Sequence, residues 1–126
     1  MSTFTLHTQI RFGAGALDAL TRFRDKRVLL VTGAFLARTD LCRDVTRRLG
    51  SRVTVFDEVE PNPTVALIGK GTACYLATEP EVVVALGGGS PIDAAKAMHQ
   101  AATKVGYGAA EGLVVVPTTS GSGSEV

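Results

Sequence analysis

The 126-residue chain has no tryptophan, two cysteines, two histidines and almost no net charge, and each shortage closes a class of function. With 13 basic against 12 acidic side chains the balance is +1, a field too weak to draw nucleic acid or an anionic membrane surface. No apolar run approaches the roughly 20 residues that span a bilayer. The opening MSTFTLHTQI lacks the basic start and apolar core of a secretory signal. Neither nucleic acid nor a membrane is therefore expected as a partner, and Cys42 and Cys74 are expected to be reduced thiols of a cytoplasmic protein. His7 and His99 have no other His, Cys or carboxylate at ligand spacing, so no metal site is expected within the chain. There is no G-x-S-x-G elbow and no evident general base, so no residue is assigned as catalytic.

What is present is the pattern of one globular domain, 45% hydrophobic and 20% charged. TFTLHTQIRF alternates apolar and polar residues from Thr3 to Phe12, the period of a half-buried strand. Continuous apolar runs at Val28–Thr32, Val82–Leu86 and Leu113–Pro117 suit strands covered on both faces, and RVTVF (52–56) adds another. Between them lie helical stretches: ALDALTRFR, LARTDLCRDVTRRL closed by Gly50, TVALIGKGTACYLA started by Thr64, and PIDAAKAMHQAA with Pro91 at its first position. Strand and helix alternate throughout. The expected fold is α/β: an open, mostly parallel, Rossmann-like sheet with helices on both faces and the N-terminal strand at an edge.

The stretch ALGGGSPIDAAKA (85–97) carries the most chemistry. Three glycines stand where a buried strand hands over to a helix. A helix N-terminus exposes unpaired N–H groups and partial positive charge, and glycine removes the side chains that would block an anion's approach. Ser90 is expected to cap the helix or to donate to a phosphate oxygen. A turn needing glycine only for packing explains one glycine better than three. Asp93 and Lys96 lie on the first turns, either as a solvated pair or as part of the site. The polar run PTTSGSGSE (117–125) follows the last strand, and Asn62 is pinned between Pro61 and Pro63 with its amide free for contacts.

In order and spacing, FGAGAL, EPNPT, GGGSPIDAAKA and PTTSGSGSEV resemble the iron-containing (group III) alcohol dehydrogenases. The similarity covers essentially the whole chain, which looks like that family's N-terminal cofactor-binding domain over residues 1–126. Its first strand region and VVPTTSGSGSEV look most like the 1-propanol dehydrogenases of bacterial microcompartments. The resemblance implies NAD, with NADP as the alternative, bound at the sheet edge. Gly88, Gly89 and Ser90 would meet the pyrophosphate. Thr118, Thr119 and Ser122 would line the adenosine and phosphate side, Asn62 would sit near the nicotinamide, and Asp93 belongs to the same motif. It also implies a small alcohol or aldehyde substrate and a homodimer or higher oligomer built through the first strand. Iron or zinc would be held only by a helical C-terminal domain that the chain does not contain.

The chain ends at Val126 within a glycine- and serine-rich stretch, and a truncated domain without dehydrogenase turnover is expected. Gly33 departs from the family pattern, which often has an aspartate after this strand to hold the adenosine ribose. Its loss removes one reason to prefer NAD over NADP. A glycerol or polyol dehydrogenase relative, and a non-catalytic nucleotide-binding or assembly module, stay open as alternatives.

Overall fold

A computed structural model of the protein describes residues 7–10, 15–106, 110 and 112–118. The chain runs β1 (His7–Ile10), α1 (Gly15–Ala19) continued by a 3-10 turn at Leu20–Phe23, β2 (Val28–Gly33), α2 (Ala34–Ala37) and α3 (Asp40–Leu49). It continues through β3 (Val53–Val59), α4 (Val65–Thr78), β4 (Val82–Gly87), α5 (Gly89–Lys104) and β5 (Gly112–Pro117). The five strands form one sheet in the order β1-β5-β4-β2-β3, and every pairing is parallel. The first strand lies at an edge, as the sequence predicts.

Successive residues of the central strands point to opposite faces, and both faces are covered. Leu29, Val31, Val83 and Ala85 pack against Tyr75 of α4 and Met98 of α5. Their neighbours Val28, Leu30, Val82 and Val84 pack against Leu20, Val45 and Leu49 on the other side. This two-sided burial is why the strands read as unbroken apolar runs rather than as alternation.

Two glycines in α4 left its helical period weak, yet the helix is continuous. Gly71 is there because α5 comes close: a Cβ at this position would stand 2.6 Å from Met98 Sδ. Thr64 caps α4 as predicted, its Oγ1 accepting the Leu67 N–H at 3.1 Å.

Three boundaries differ from the sequence reading. The single helix expected over LARTDLCRDVTRRL is two, because Thr39 adopts extended backbone and its Oγ1 accepts the Cys42 N–H, starting α3 afresh. The third strand runs on to Val59 rather than stopping at Phe56, because its ladder with β2 continues to Gly33 across a register shift. As the outer edge strand it tolerates the exposed Asp57 and Glu58. The helix expected to begin at Pro91 begins at Gly89, with Gly88 in the cap position. Pro91 is its third residue, still within the first turn where no N–H is needed.

From β2 the chain moves outward to β3, and α4 then carries it back past β2 to β4, from which α5 leads on to β5. The winding direction therefore reverses between β2 and β4. Their carboxyl ends, Gly33 and Gly87, flank the crevice where open α/β sheets bind ligands.

Candidate cofactor site

Four strand ends build the carboxyl edge in the order Thr118 after β5, Gly87 at the end of β4, Gly33 at the end of β2 and Asn62 beyond β3. Two hydrogen bonds tie the central part together. Thr32 Oγ1, fully buried, donates to the Leu86 carbonyl at 2.8 Å, and the Thr118 N–H donates to the Gly87 carbonyl at 3.3 Å.

The three consecutive glycines do different work. Gly87 makes the turn, at φ +136°, and a Cβ there would lie 2.9 Å from Pro91 Cγ and 3.1 Å from Leu36 Cδ1. This position satisfies the packing explanation by itself. At Gly88 and Gly89 an added Cβ would meet nothing within 4 Å, and both have negative φ. Neither turn geometry nor packing requires glycine at either residue. What they leave is open space over the start of α5.

That helix start is short of partners. No side chain caps it, since Gly88 has none to offer. The N–H groups of Gly89 and Ser90 precede the helix's own ladder, whose first bond is a long one of 3.5 Å from the Ile92 N–H to the Gly88 carbonyl. Ser90, expected as a cap, is instead the second residue of the helix and only partly buried. Two N–H donors, a helix dipole and unobstructed space form a cradle that fits a pyrophosphate.

The other predicted residues fall around this cradle. Gly33 is extended, at φ −94°, and caps α2; a Cβ there would approach the Val59 carbonyl to 3.0 Å. The close approach of β3 is thus a packing reason for glycine that the sequence did not reveal. Asn62 is exposed in the left-handed region, at φ +57°, which asparagine tolerates better than most residues. It lies beyond the end of β3, two strands along the sheet from the strand that carries the glycine turn. Asp93 and Lys96 are exposed on α5 and form no ion pair with each other or with another described residue. Thr119 and Ser122 lie outside the described residues.

Two further groups bear on chemistry. Burial pushes the Cys42 thiol up, with the Asp57 carboxylate adding to the effect, so it is a core thiol rather than an activated nucleophile. Tyr75 and His99 form a buried pair with 2.5 Å between Oη and Nδ1. Burial raises the phenol and lowers the imidazole, so the two groups meet in their neutral forms. This pair joins α4 to α5 on the covered face of the sheet and does not reach the carboxyl edge. Among the described residues, no three His, Cys, Asp or Glu side chains converge as a metal site. No helix among them is long and apolar enough to cross a membrane.

Comparison with known proteins identifies the family. The sequence profile of the iron-containing alcohol dehydrogenases matches residues 7–126. The chain is 40% identical to a 1-propanol dehydrogenase of Salmonella typhimurium, over 100% of the chain and 34% of that protein. It is 37% identical to a 4-hydroxybutyrate dehydrogenase of Cupriavidus necator, over 98% of the chain and 37% of that protein. The crystal structure of an iron-containing alcohol dehydrogenase from Thermotoga maritima superposes with a TM-score of 0.70 at 30% identity, covering 98% of the chain and 40% of that structure. The chain thus spans about a third of the length of the relatives it matches. A parallel sheet with its glycine cradle at the switch point, and a family profile over nearly its whole length, make this chain a member of the iron-containing alcohol dehydrogenase family.

Proposed function

We propose that the chain binds a nicotinamide dinucleotide across the carboxyl edge of its sheet, with the pyrophosphate on the N–H groups of Gly89 and Ser90. The observation that carries this reading is the open space at Gly88 and Gly89, which no packing contact explains. Gly87 turns the chain, Thr32 and Thr118 hold the neighbouring strand ends in place, and the dipole of the 16-residue α5 favours the anion. Asn62 is read at the nicotinamide end, and Thr118, Thr119 and Ser122 on the adenosine and phosphate side. The bound cofactor supplies a hydride donor or acceptor for a small alcohol or aldehyde. With the 1-propanol dehydrogenase relative, 1-propanol and propionaldehyde are the substrates proposed for the whole enzyme.

The described residues do not fit a metal ion, so no step is assigned to one, and the chain alone is proposed to bind cofactor without turning over alcohol. The proposal extends to self-association through β1, whose ladder among the described residues pairs it on one side only, with β5. Residence in a bacterial microcompartment belongs to the same proposal. Gly33 offers no carboxylate against a 2′-phosphate, so NADP is proposed to be tolerated better than in an aspartate-bearing relative. Gly33→Asp tests this only beside Gly33→Ala, which makes the same contact with the Val59 carbonyl without the charge.

The direct test is Gly89→Asp, followed by calorimetric titration of NADH. A carboxylate in the first turn of α5 suits the helix dipole, so stability should hold or rise by about 0.5 kcal/mol. It also occupies the cradle with the wrong charge, and NADH affinity should fall at least about tenfold, the equivalent of ~1.4 kcal/mol. Equal affinity in the variant and the unaltered chain would refute the site.

A further inference from the structure

We propose that the outer edge of β3 pairs with the same edge of a second copy of the chain, antiparallel and symmetric about Val55. Strand β3 is the last of the sheet and, among the described residues, its ladder runs on one side only, with β2. The Val28 N–H donates to the Arg52 carbonyl at 3.0 Å, and Val28 stands in register with Val53. Arg52, Thr54 and Phe56 therefore turn their backbone groups toward β2, while Val53 and Val55 turn theirs outward, where a second strand can take them. The shift in the β2 ladder falls beyond Phe56, so this outward row is regular. At its middle Val55 is apolar and 39% exposed.

Charge decides which strand fits. One end of the edge is basic: a groove of about 590 Å³ is lined by Val53 and Val55 together with Arg43 and Arg47 of α3. Both arginines stay largely exposed, although each pairs with an aspartate of its own helix. Arg52 is exposed at the same end, and Asp57 and Glu58 are exposed at the other. The Asp57 carboxylate acts on Cys42 of α3, and Glu58 accepts from Lys70 of α4 at 2.6 Å, so the two acids serve opposite faces of the sheet. Acidic residues ordinarily keep an edge strand from pairing. In an antiparallel pair centred on Val55 they do the reverse. The two-fold axis stands perpendicular to the sheet, so each face of one copy continues into the same face of the other. Val55 meets its own counterpart, Asp57 of each copy comes to Val53 and the arginine groove of the other, and Glu58 comes to Arg52. A parallel pairing in register would set acid on acid, so the charges select the antiparallel one. The contact is separate from the one proposed at β1, which lies at the opposite edge of the sheet.

A contact this short belongs to the weak, concentration-dependent class of interfaces. In a dilution series of the 15N-labelled chain, the Val53 and Val55 amides should shift together along one monomer–dimer curve. Val55→Lys, a change at an exposed position, sets two ammonium groups against each other across the axis. It should raise the dissociation constant at least about tenfold. Arg52→Glu should raise it about threefold, and Arg52→Glu combined with Glu58→Arg should restore it, because the pair is then reversed. Val53 and Val55 amides that ignore concentration in the unaltered chain overturn the proposal, and so do shifts at these amides that survive Val55→Lys. A double variant as weak as Arg52→Glu alone overturns the pairing about Val55. Shifts confined to His7–Ile10 overturn it too, while leaving the association proposed through β1 intact.

Discussion

The two ends of the sheet are built on opposite plans. At the amino end the backbone is closed by hydrogen bonds. The Arg27 N–H donates to Glu81 Oε1 at 2.9 Å, Arg27 Nε to the Glu79 carbonyl at 2.8 Å, and the Glu81 N–H to the Arg27 carbonyl at 2.8 Å. The Asp25 N–H donates to the Leu49 carbonyl, and the Arg24 guanidinium reaches the carbonyl of Arg47 at 3.1 Å at the end of α3. Gly50 is packed so tightly there that a Cβ would lie 2.4 Å from Asp25 Oδ1. At the carboxyl end, by contrast, two glycines face open space and two N–H groups begin a helix without a cap. Exposed N–H groups at an uncapped, unobstructed helix start can exchange water for an anion, which is the ground on which the open end is proposed as the binding edge.

The contrast gives a series of outcomes, beginning with the largest. Gly50→Val strains a residue at φ +96° and collides with Asp25, and should cost about 3 kcal/mol in urea unfolding. The NADH affinity of the protein that remains folded should be unchanged. It is the converse of Gly89→Asp, which should remove affinity and spare stability. If Gly50→Val lowered affinity while Gly89→Asp lowered only stability, the two ends would have been assigned the wrong way round.

A smaller effect comes from the covered face between the ends. Burial holds the His99 imidazole below its ordinary value of 6.5, so the unfolded chain takes up a proton before the folded one does. Stability is complete above 6.5 and falls as the pH drops below it, with a slope of at most about 1.4 kcal/mol per pH unit for a single proton. Urea unfolding between pH 7 and pH 5 should show this slope, and His99→Asn should flatten it at lower overall stability. An identical slope in both proteins would remove His99 as its source.

The smallest effect is at the closed end. The Arg27 N–H holds the Glu81 carboxyl below its ordinary 4.5, with the nearby charges of Arg27, Lys26 and Arg52 helping. Its contribution is therefore present above 4.5 and is lost as the pH falls through the lowered value. Glu81→Gln should unfold with a shallower acid limb than the unaltered chain, and cofactor affinity should not change.

The sequence carried the sheet well. Unbroken apolar runs at Val28, Val82 and Leu113 suit strands buried on both faces, and the alternation of helices between them favours parallel pairing. Thr64 marked the start of α4 by an ordinary cap. Thr39 offers the same signal within Thr-Asp, but the apolar period on either side runs through it and masks the break. Less legible were the roles of individual glycines. Gly33 and Gly71 owe their identity to Val59 and Met98, neighbours that only the folded chain brings near. Gly87, Gly88 and Gly89 are equivalent on paper, and they separate only when the space above each is known.

The most direct measurement is the amide spectrum of the 15N-labelled chain during titration with NADH. The account predicts saturable shifts for Gly88, Gly89, Ser90, Gly33 and Thr118 at the carboxyl edge, with Arg27, Gly50 and Glu81 at the amino edge unmoved. Shifts confined to the amino edge, or a carboxyl edge silent at saturating NADH, would contradict it.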